Sequence, residues 1–145
     1  MEKFSKPVQL RWSDMDPNFH IRHSVYYDWG AMCRIGFLTK YGLTPAVMQQ
    51  HFFGPIIFRE ECVFRKEVKF GDEISITAAV TKSRRDYSRW TFQHGIYKNG
   101  DTLCAILTID GAWIDTKLRK LYKPAEEITK AYEQLPRSED FEWTD

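Results

Sequence analysis

Cysteine is scarce in this chain of 145 residues: Cys33, Cys62 and Cys104 are the whole set, widely spaced among apolar neighbours. An odd, dispersed trio does not make a disulfide framework and fits reduced, buried thiols. No Cys-x-x-Cys or His-Glu-x-x-His spacing occurs, and the four histidines, His20, His23, His51 and His94, are scattered, so neither metal nor cofactor is expected. Excess charge of one sign is also missing. The 21 Lys and Arg against 20 Asp and Glu leave a net charge of +1, and no recognised RNA motif or Gly-rich phosphate loop accompanies the cations. A nucleic-acid partner is therefore not expected. No apolar run approaches the roughly 20 residues of a membrane span, and the opening MEKFSKPVQLRW lacks the apolar stretch of a signal peptide. The sequence predicts a cytoplasmic protein with no membrane partner.

What is present suits a packed core. Hydrophobic residues make up 43% and aromatics 15%, and a chain of this length folds as one domain burying roughly 70% of its unfolded surface. Val8 to Ser13 reads as a first strand, ended by the turn-forming Asp-Met-Asp-Pro-Asn, in which Pro17 holds Asp16 extended. From Ser24 as N-cap, Tyr27, Ala31, Ile35 and Leu38 recur at helical steps, and Gly42 stops the helix. Thr44 and Pro45 mark a short second helix.

Beyond Gly54 the period changes. Ile57, Cys62, Phe64 and Val68 follow a strand register with slips that imply a bulge. Phe-Gly-Asp-Glu turns the chain into Ile74–Val80, where apolar and polar residues alternate, and two further strands flank Lys-Asn-Gly-Asp, a strong hairpin signal. Lys123 to Leu135 reads as a C-terminal helix opened by Pro124, followed by an acidic, polar tail. The predicted architecture is α+β, an antiparallel sheet wrapped around one central helix, with its core at about residues 6–116. A sheet this short leaves an edge and a face that a second copy can cover. The strand carrying Ile106, Leu107 and Ile109, together with the central helix, is the expected contact of a homodimer or homotetramer.

The stretch RWSDMDPNFHIRHSVYYDW, Arg11 to Trp29, followed by helix, long strand, Phe-Gly-Asp-Glu-Ile turn and Lys-Asn-Gly-Asp hairpin, resembles the hotdog-fold acyl-CoA thioesterases of the 4-hydroxybenzoyl-CoA thioesterase type. The likeness runs from about Lys6 to Asp115. Its most specific element is the Asp-x-Asp of Asp14 and Asp16, with His20 in the family's Gly-His-Val-Asn-Asn region and Tyr26 at its aromatic position on the helix. Three departures stand out: Phe19 replaces the glycine before the histidine, Arg22-His23 replaces the Asn-Asn pair, and Glu67 replaces a proline before the Gly-Asp turn.

The resemblance implies hydrolysis of an acyl thioester of coenzyme A or acyl carrier protein, without cofactor, with Asp16 catalytic. Thioester hydrolysis needs an attacking water or carboxylate and donors for the developing oxyanion. A helix N-terminus near Arg22 to Val25 supplies such donors, and an ionised Asp16 serves as general base or nucleophile. His20 is the second catalytic candidate, as base or as a group orienting Asp16 or the carbonyl, and Asp14 reads as a turn acid. His23 and Tyr26 are expected at the substrate pocket, since a phenol with a pKa near 10 is a poor acid at neutral pH. Lys82, Arg84, Arg85 and Arg89 gather at a strand end as a clamp for the phosphates of coenzyme A. Phe19, Trp29, Phe52, Phe53 and Phe58 are the expected wall of an acyl slot. The Arg65–Glu73 run suggests only a solvated strand end and turn. Two other readings share the sequence: a hotdog hydratase or dehydratase with His20 as base, and a non-catalytic acyl-thioester-binding module in which Asp16 is only a cap.

Overall fold

A single long helix, α1 (His23–Lys40), is the element around which the rest is laid in this computed structural model, which describes residues 3–145. In chain order the other elements are β1 (Phe4–Val8), a 3-10 turn (Trp12–Asp14), α2 (Pro45–His51), β2 (Phe53–Phe64), β3 (Ile74–Ser83), β4 (Arg89–Lys98), β5 (Thr102–Asp115), β6 (Lys120–Leu121), α3 (Glu126–Glu133) and β7 (Arg137–Trp143). The main sheet has the order β1-β3-β4-β5-β2, antiparallel throughout. It curls around α1.

The strand pattern predicted from alternation is realised residue by residue. Ile74, Ile76, Ala78 and Val80 on β3, Trp90, Phe92, His94 and Ile96 on β4, and Leu107 and Ile109 on β5 are buried, while the residues between them are half-exposed. The β2 register slips between Ile57 and Arg59, which is the anticipated bulge. Asn99 and Gly100 both take positive φ, 51° and 101°, as a tight hairpin between β4 and β5 requires.

The helix faces the sheet with a different stripe from the expected one. Val25, Trp29, Cys33 and Phe37, each four residues on, are buried; of the expected positions Leu38 is buried too, whereas Ala31 is exposed and Tyr27 and Ile35 are half-buried. Both stripes are apolar, and the sheet takes the bulkier one. Each such side chain stabilises the fold by about 1.5–3 kcal/mol. The helix also begins one residue before Ser24, which lies inside the first turn; Thr44 caps α2 as expected, accepting from the Val47 N–H at 3.1 Å.

Three boundaries differ from the sequence expectation. The first strand is Phe4–Val8 and not Val8–Ser13, because β1 is an edge on which Pro7 is tolerated, and Trp12–Asp14 is drawn into a 3-10 turn by Asp14. The C-terminal helix is shorter, starting at Glu126. The residues after it form no tail: β7 joins β3 in parallel beyond the end of β1, and Trp143 and Phe141 pack there with rings 5.0 Å apart.

The predicted dimer strand needs correcting as well. β5 lies between β4 and β2, and Leu107 and Ile109 are fully buried within this chain. The open edge is β2, which among the described residues pairs only with β5 and exposes Ile57, Phe58, Val63 and Phe64.

Candidate functional site

The loop between β1 and α1 is shaped by its own two acids. Asp14, 1% exposed, accepts three N–H groups from Arg11: the backbone at 3.2 Å, Nε at 3.2 Å and Nη2 at 2.7 Å. These bonds hold its carboxyl below the usual range, the Arg11 side chain being the largest cause. The Asp14 carbonyl accepts the Arg22 N–H at 2.8 Å, which fixes the entry to α1.

Asp16 sits across this loop. Its Oδ1 accepts the N–H groups of Asn18 at 2.8 Å and His20 at 3.1 Å, an Asx turn, while Oδ2 accepts no hydrogen bond from the described residues. The Asp16 N–H donates to the His20 carbonyl at 2.8 Å, and the turn between them puts Phe19 at φ 62°. One oxygen is thus spent on architecture and the other is open.

Asp16, His20, His23 and Tyr26 line one open cleft of about 350 Å³, whose far wall is Phe64–Val68. His20 Nε2 lies 2.7 Å from Glu67 Oε2, and Glu67 Oε1 lies 3.3 Å from Lys69 Nζ. Tyr26 is buried edge-on to Phe64, with ring centroids 5.0 Å apart. Burial pushes its phenol up to about 12, so it serves as a wall and not as an acid. No side chain caps the start of α1; the Arg22 guanidinium turns instead to the Ser13 carbonyl at 2.8 Å and Ser24 Oγ at 3.1 Å. The Val25 N–H donates to the Arg22 carbonyl at 3.0 Å, and the His23 and Ser24 N–H groups, with their partial positive charge, are left without a partner among the described residues for whatever enters beside them.

The cations predicted as a clamp lie elsewhere in the chain. Lys82, Arg84, Arg85 and Arg89 surround the β3–β4 turn, at the opposite end of the ten-residue strand β3 from the cleft, about 30 Å away. Lys82 pairs with Glu142 at 3.3 Å, Arg85 lies over the Trp143 ring at 5.2 Å, and Arg89 lies over Phe58 at 5.3 Å. Nor do the predicted aromatics converge. Trp29 and Phe53 are core residues, Phe52 precedes the far end of β2, and Phe58 lies exposed at the middle of that strand. The aromatic that lines the cleft beside Tyr26 is Phe64.

Glu67 is the residue the sequence reading passed over. It lies in the charged run read as a solvated strand end, yet its carboxylate lies 2.7 Å from His20 Nε2. Its only signal was that it stands where the resembled family has a proline.

A curled antiparallel sheet wrapped around one helix is the hotdog architecture. The model of the thioesterase-like superfamily matches residues 10–132, and the chain belongs to that family. Against curated proteins the sequence finds no match. Among solved structures, a hypothetical protein of Staphylococcus aureus in complex with CoA is 16% identical with a TM-score of 0.84, covering 94% of this chain and 87% of its own. A DHNA-CoA thioesterase of the same organism is 17% identical with a TM-score of 0.82, covering 92% and 91%. A thioesterase of Thermus thermophilus, complexed with coenzyme A and Zn, is 20% identical with a TM-score of 0.76, covering 93% and 97%. At these identities the likeness establishes the fold.

Proposed function

We propose that the protein hydrolyses an acyl-CoA thioester to the free acid and coenzyme A, with Asp16 as general base. The carrying observation is that the open Oδ2 of Asp16 and the uncapped start of α1 belong to the same cleft, in a chain of the thioesterase-like superfamily. The thioester carbonyl lies against the first-turn N–H groups, which stabilise the oxyanion. Asp16 draws a proton from water, the resulting hydroxide adds to the carbonyl carbon, and collapse of the tetrahedral intermediate expels the coenzyme A thiolate. His20, fixed by Glu67, borders this centre and orients the carbonyl or the water.

Binding of coenzyme A by the known CoA complexes of this fold supports the choice of carrier. The clamp enters through a second copy. Two chains joined antiparallel along β2 by a two-fold axis bring the Phe53 end of one strand beside the Phe64 end of the other. Arg89, stacked on Phe58, then approaches the partner's cleft, with Arg84 behind it. Exposed apolar side chains along an unpaired edge are what such a pairing buries.

The experiment is Asp16→Asn, assayed by thiol release from a panel of acyl-CoAs. The charge is lost while size and the Asx turn are kept, so kcat is expected to fall about a hundredfold or more with the fold and acyl-CoA binding intact. A folded variant that binds acyl-CoA and turns over at the parent rate would return Asp16 to a turn role. The His20–Glu67 pair supports a second reading, with His20 as base of a hydratase. Consumption of an enoyl-CoA chromophore without thiol release would select it.

A further inference from the structure

The C-terminal strand divides the cations around the β3–β4 turn into two groups. Lys82 is paired with Glu142, and Arg85 is held by Asp145, whose carbonyl accepts from Nε at 3.1 Å, and by the Trp143 ring. Arg84 is exposed and has no ion pair among the described residues. The neighbouring β5–β6 turn adds positive charge of its own. Lys117, Arg119, Lys120 and Lys123 follow one acid, Asp115, whose Oδ1 is already taken by the Lys117 and Leu118 N–H groups at 2.9 and 2.8 Å.

Between the two turns is an open pocket of about 210 Å³, with Arg84 and Asp86 on one side, Lys123 on the other, and Ala112, Leu121 and Tyr122 as an apolar wall. Asp86 Oδ1 accepts both the N–H and the hydroxyl of Ser88, at 3.0 and 2.5 Å, while Oδ2 accepts no hydrogen bond from the described residues. Burial raises the Asp86 carboxyl, but the Ser88 bonds and then the charges of Arg84 and Lys123 hold it below the ordinary range. Both cations therefore act across this pocket, and neither closes into an ion pair with Asp86. No residue of β2 lines it, so pairing with a second copy along that edge consumes none of its groups.

We propose that this pocket binds a phosphorylated nucleoside: the phosphate on Arg84 and Lys123, a sugar hydroxyl on Asp86 Oδ2, and the base against Leu121 and Tyr122. A phosphate monoester carries about −1.5 to −2 charge at pH 7, and a guanidinium fork with a mobile ammonium is the pair of groups that meets it. Phosphate alone is a poorer fit, because an anion cannot satisfy the open carboxylate oxygen and would leave the apolar wall uncovered. A hydroxyl donates to that oxygen, and a base covers Leu121 and the Tyr122 ring. The nucleoside is either the nucleotide end of coenzyme A or a free nucleotide. The first source rests on the thioesterase reading and makes Lys123, from the other turn, a member of the clamp with Arg84 and Arg89.

The test is calorimetric titration of the full-length protein with adenosine 3′,5′-bisphosphate, adenosine and inorganic phosphate. The bisphosphate is expected to bind, and adenosine or phosphate alone to bind at least about tenfold more weakly. Arg84→Ala and Lys123→Ala remove exposed side chains, so both variants are expected to keep the parent Tm while each weakens bisphosphate binding about tenfold. Lys120→Ala removes an exposed cation of the same turn that lies outside the pocket, and is expected to leave affinity within about twofold. Absence of bisphosphate binding, phosphate alone binding as tightly, or an equal loss in Lys120→Ala and Lys123→Ala overturns the proposal. The KM of an acyl-CoA against that of its dephospho-CoA counterpart, which lacks the 3′-phosphate, tells the two sources apart. A lower KM for acyl-CoA that Lys123→Ala removes assigns the nucleotide end of the carrier. Equal KM values with the bisphosphate still bound assign a separate nucleotide, and the calorimetric result stands even if the chain hydrolyses no thioester.

Discussion

Asp14→Asn isolates the architectural acid from the chemical one two residues away. The substitution keeps the shape of a side chain that is nearly fully buried, but replaces an acceptor of three Arg11 N–H groups by an amide with one oxygen and an N–H₂ that points donor at donor. Hydrogen bonds to a charged group contribute about 1.5–3 kcal/mol, and the exposure of Arg11 reduces this to about 1–2 kcal/mol. For a chain of this size that corresponds to a Tm lower by about 3–8 °C. The sign with pH is fixed by the direction of the shift. The Asp14 carboxyl is held below its ordinary 3.8 in the fold, so the folded state binds a proton less readily than the unfolded chain. Its stabilisation is complete above that value and is lost as pH falls through it towards the lower folded pKa. Calorimetric scans of both proteins at stepped pH are therefore expected to show a constant gap from about pH 8 to pH 5 that narrows below about pH 4. The Arg22 N–H bond to the Asp14 carbonyl is backbone and survives, so kcat is expected within about threefold of the parent, against the hundredfold of Asp16→Asn. A gap in Tm that persists unchanged to pH 3 would falsify the charge-based account of this loop.

Glu67→Gln removes the charge facing His20 at a half-exposed position, so Tm is expected to stay within about 1–2 °C while kcat/KM falls severalfold, as read by thermal melts and thiol release. Gly111→Ala puts a methyl against the Trp90 ring and 2.5 Å from the Ile56 carbonyl oxygen; urea titration is expected to show a loss of about 1–3 kcal/mol. Val63→Asp on the open edge of β2 is expected to shift light-scattering mass from two copies towards one, and to depress activity through loss of the clamp. A double replacement of Arg84 and Arg85 by Ala is expected to raise KM for acyl-CoA more than it lowers kcat; an unchanged KM removes the clamp.

Much of the fold was legible because its elements carry periods that one face of a sheet enforces. β3 alternates cleanly since one side meets α1 and the other does not, and Asn99-Gly100 needs positive φ that few other pairs supply. The errors fall where two patterns compete. α1 is apolar on two stripes, and nothing local says that Val25, Trp29, Cys33 and Phe37 meet the sheet while Ala31 and Ile35 are left at the rim. β7 was read as a tail because its acids dominate its composition. Its strand character comes from Phe141 and Trp143 packing around the Arg137 guanidinium, whose carbon lies 4.7 and 4.8 Å from the two rings, a tertiary arrangement with no local signature.

The candidate site shows the same division between local and distant information. Asp16, His20, His23 and Tyr26 were found because they are close in sequence, and the cleft is built on the turn that joins them. Glu67 reaches His20 from 47 positions on, carried by the bridge between His20 and Lys69 that closes the loop against the strand exit. The core cluster in which Arg34 donates to His94 Nε2 at 3.2 Å and to Glu60 Oε2 at 3.4 Å was invisible for a stronger reason: its members come from three elements, and each alone reads as an unremarkable member of its helix or strand. Burial is what makes them costly. A cation and a neutral imidazole in a core of this size carry a desolvation cost that Glu60 only partly offsets. Replacement by apolar residues of similar volume is commonly neutral or stabilising for such clusters.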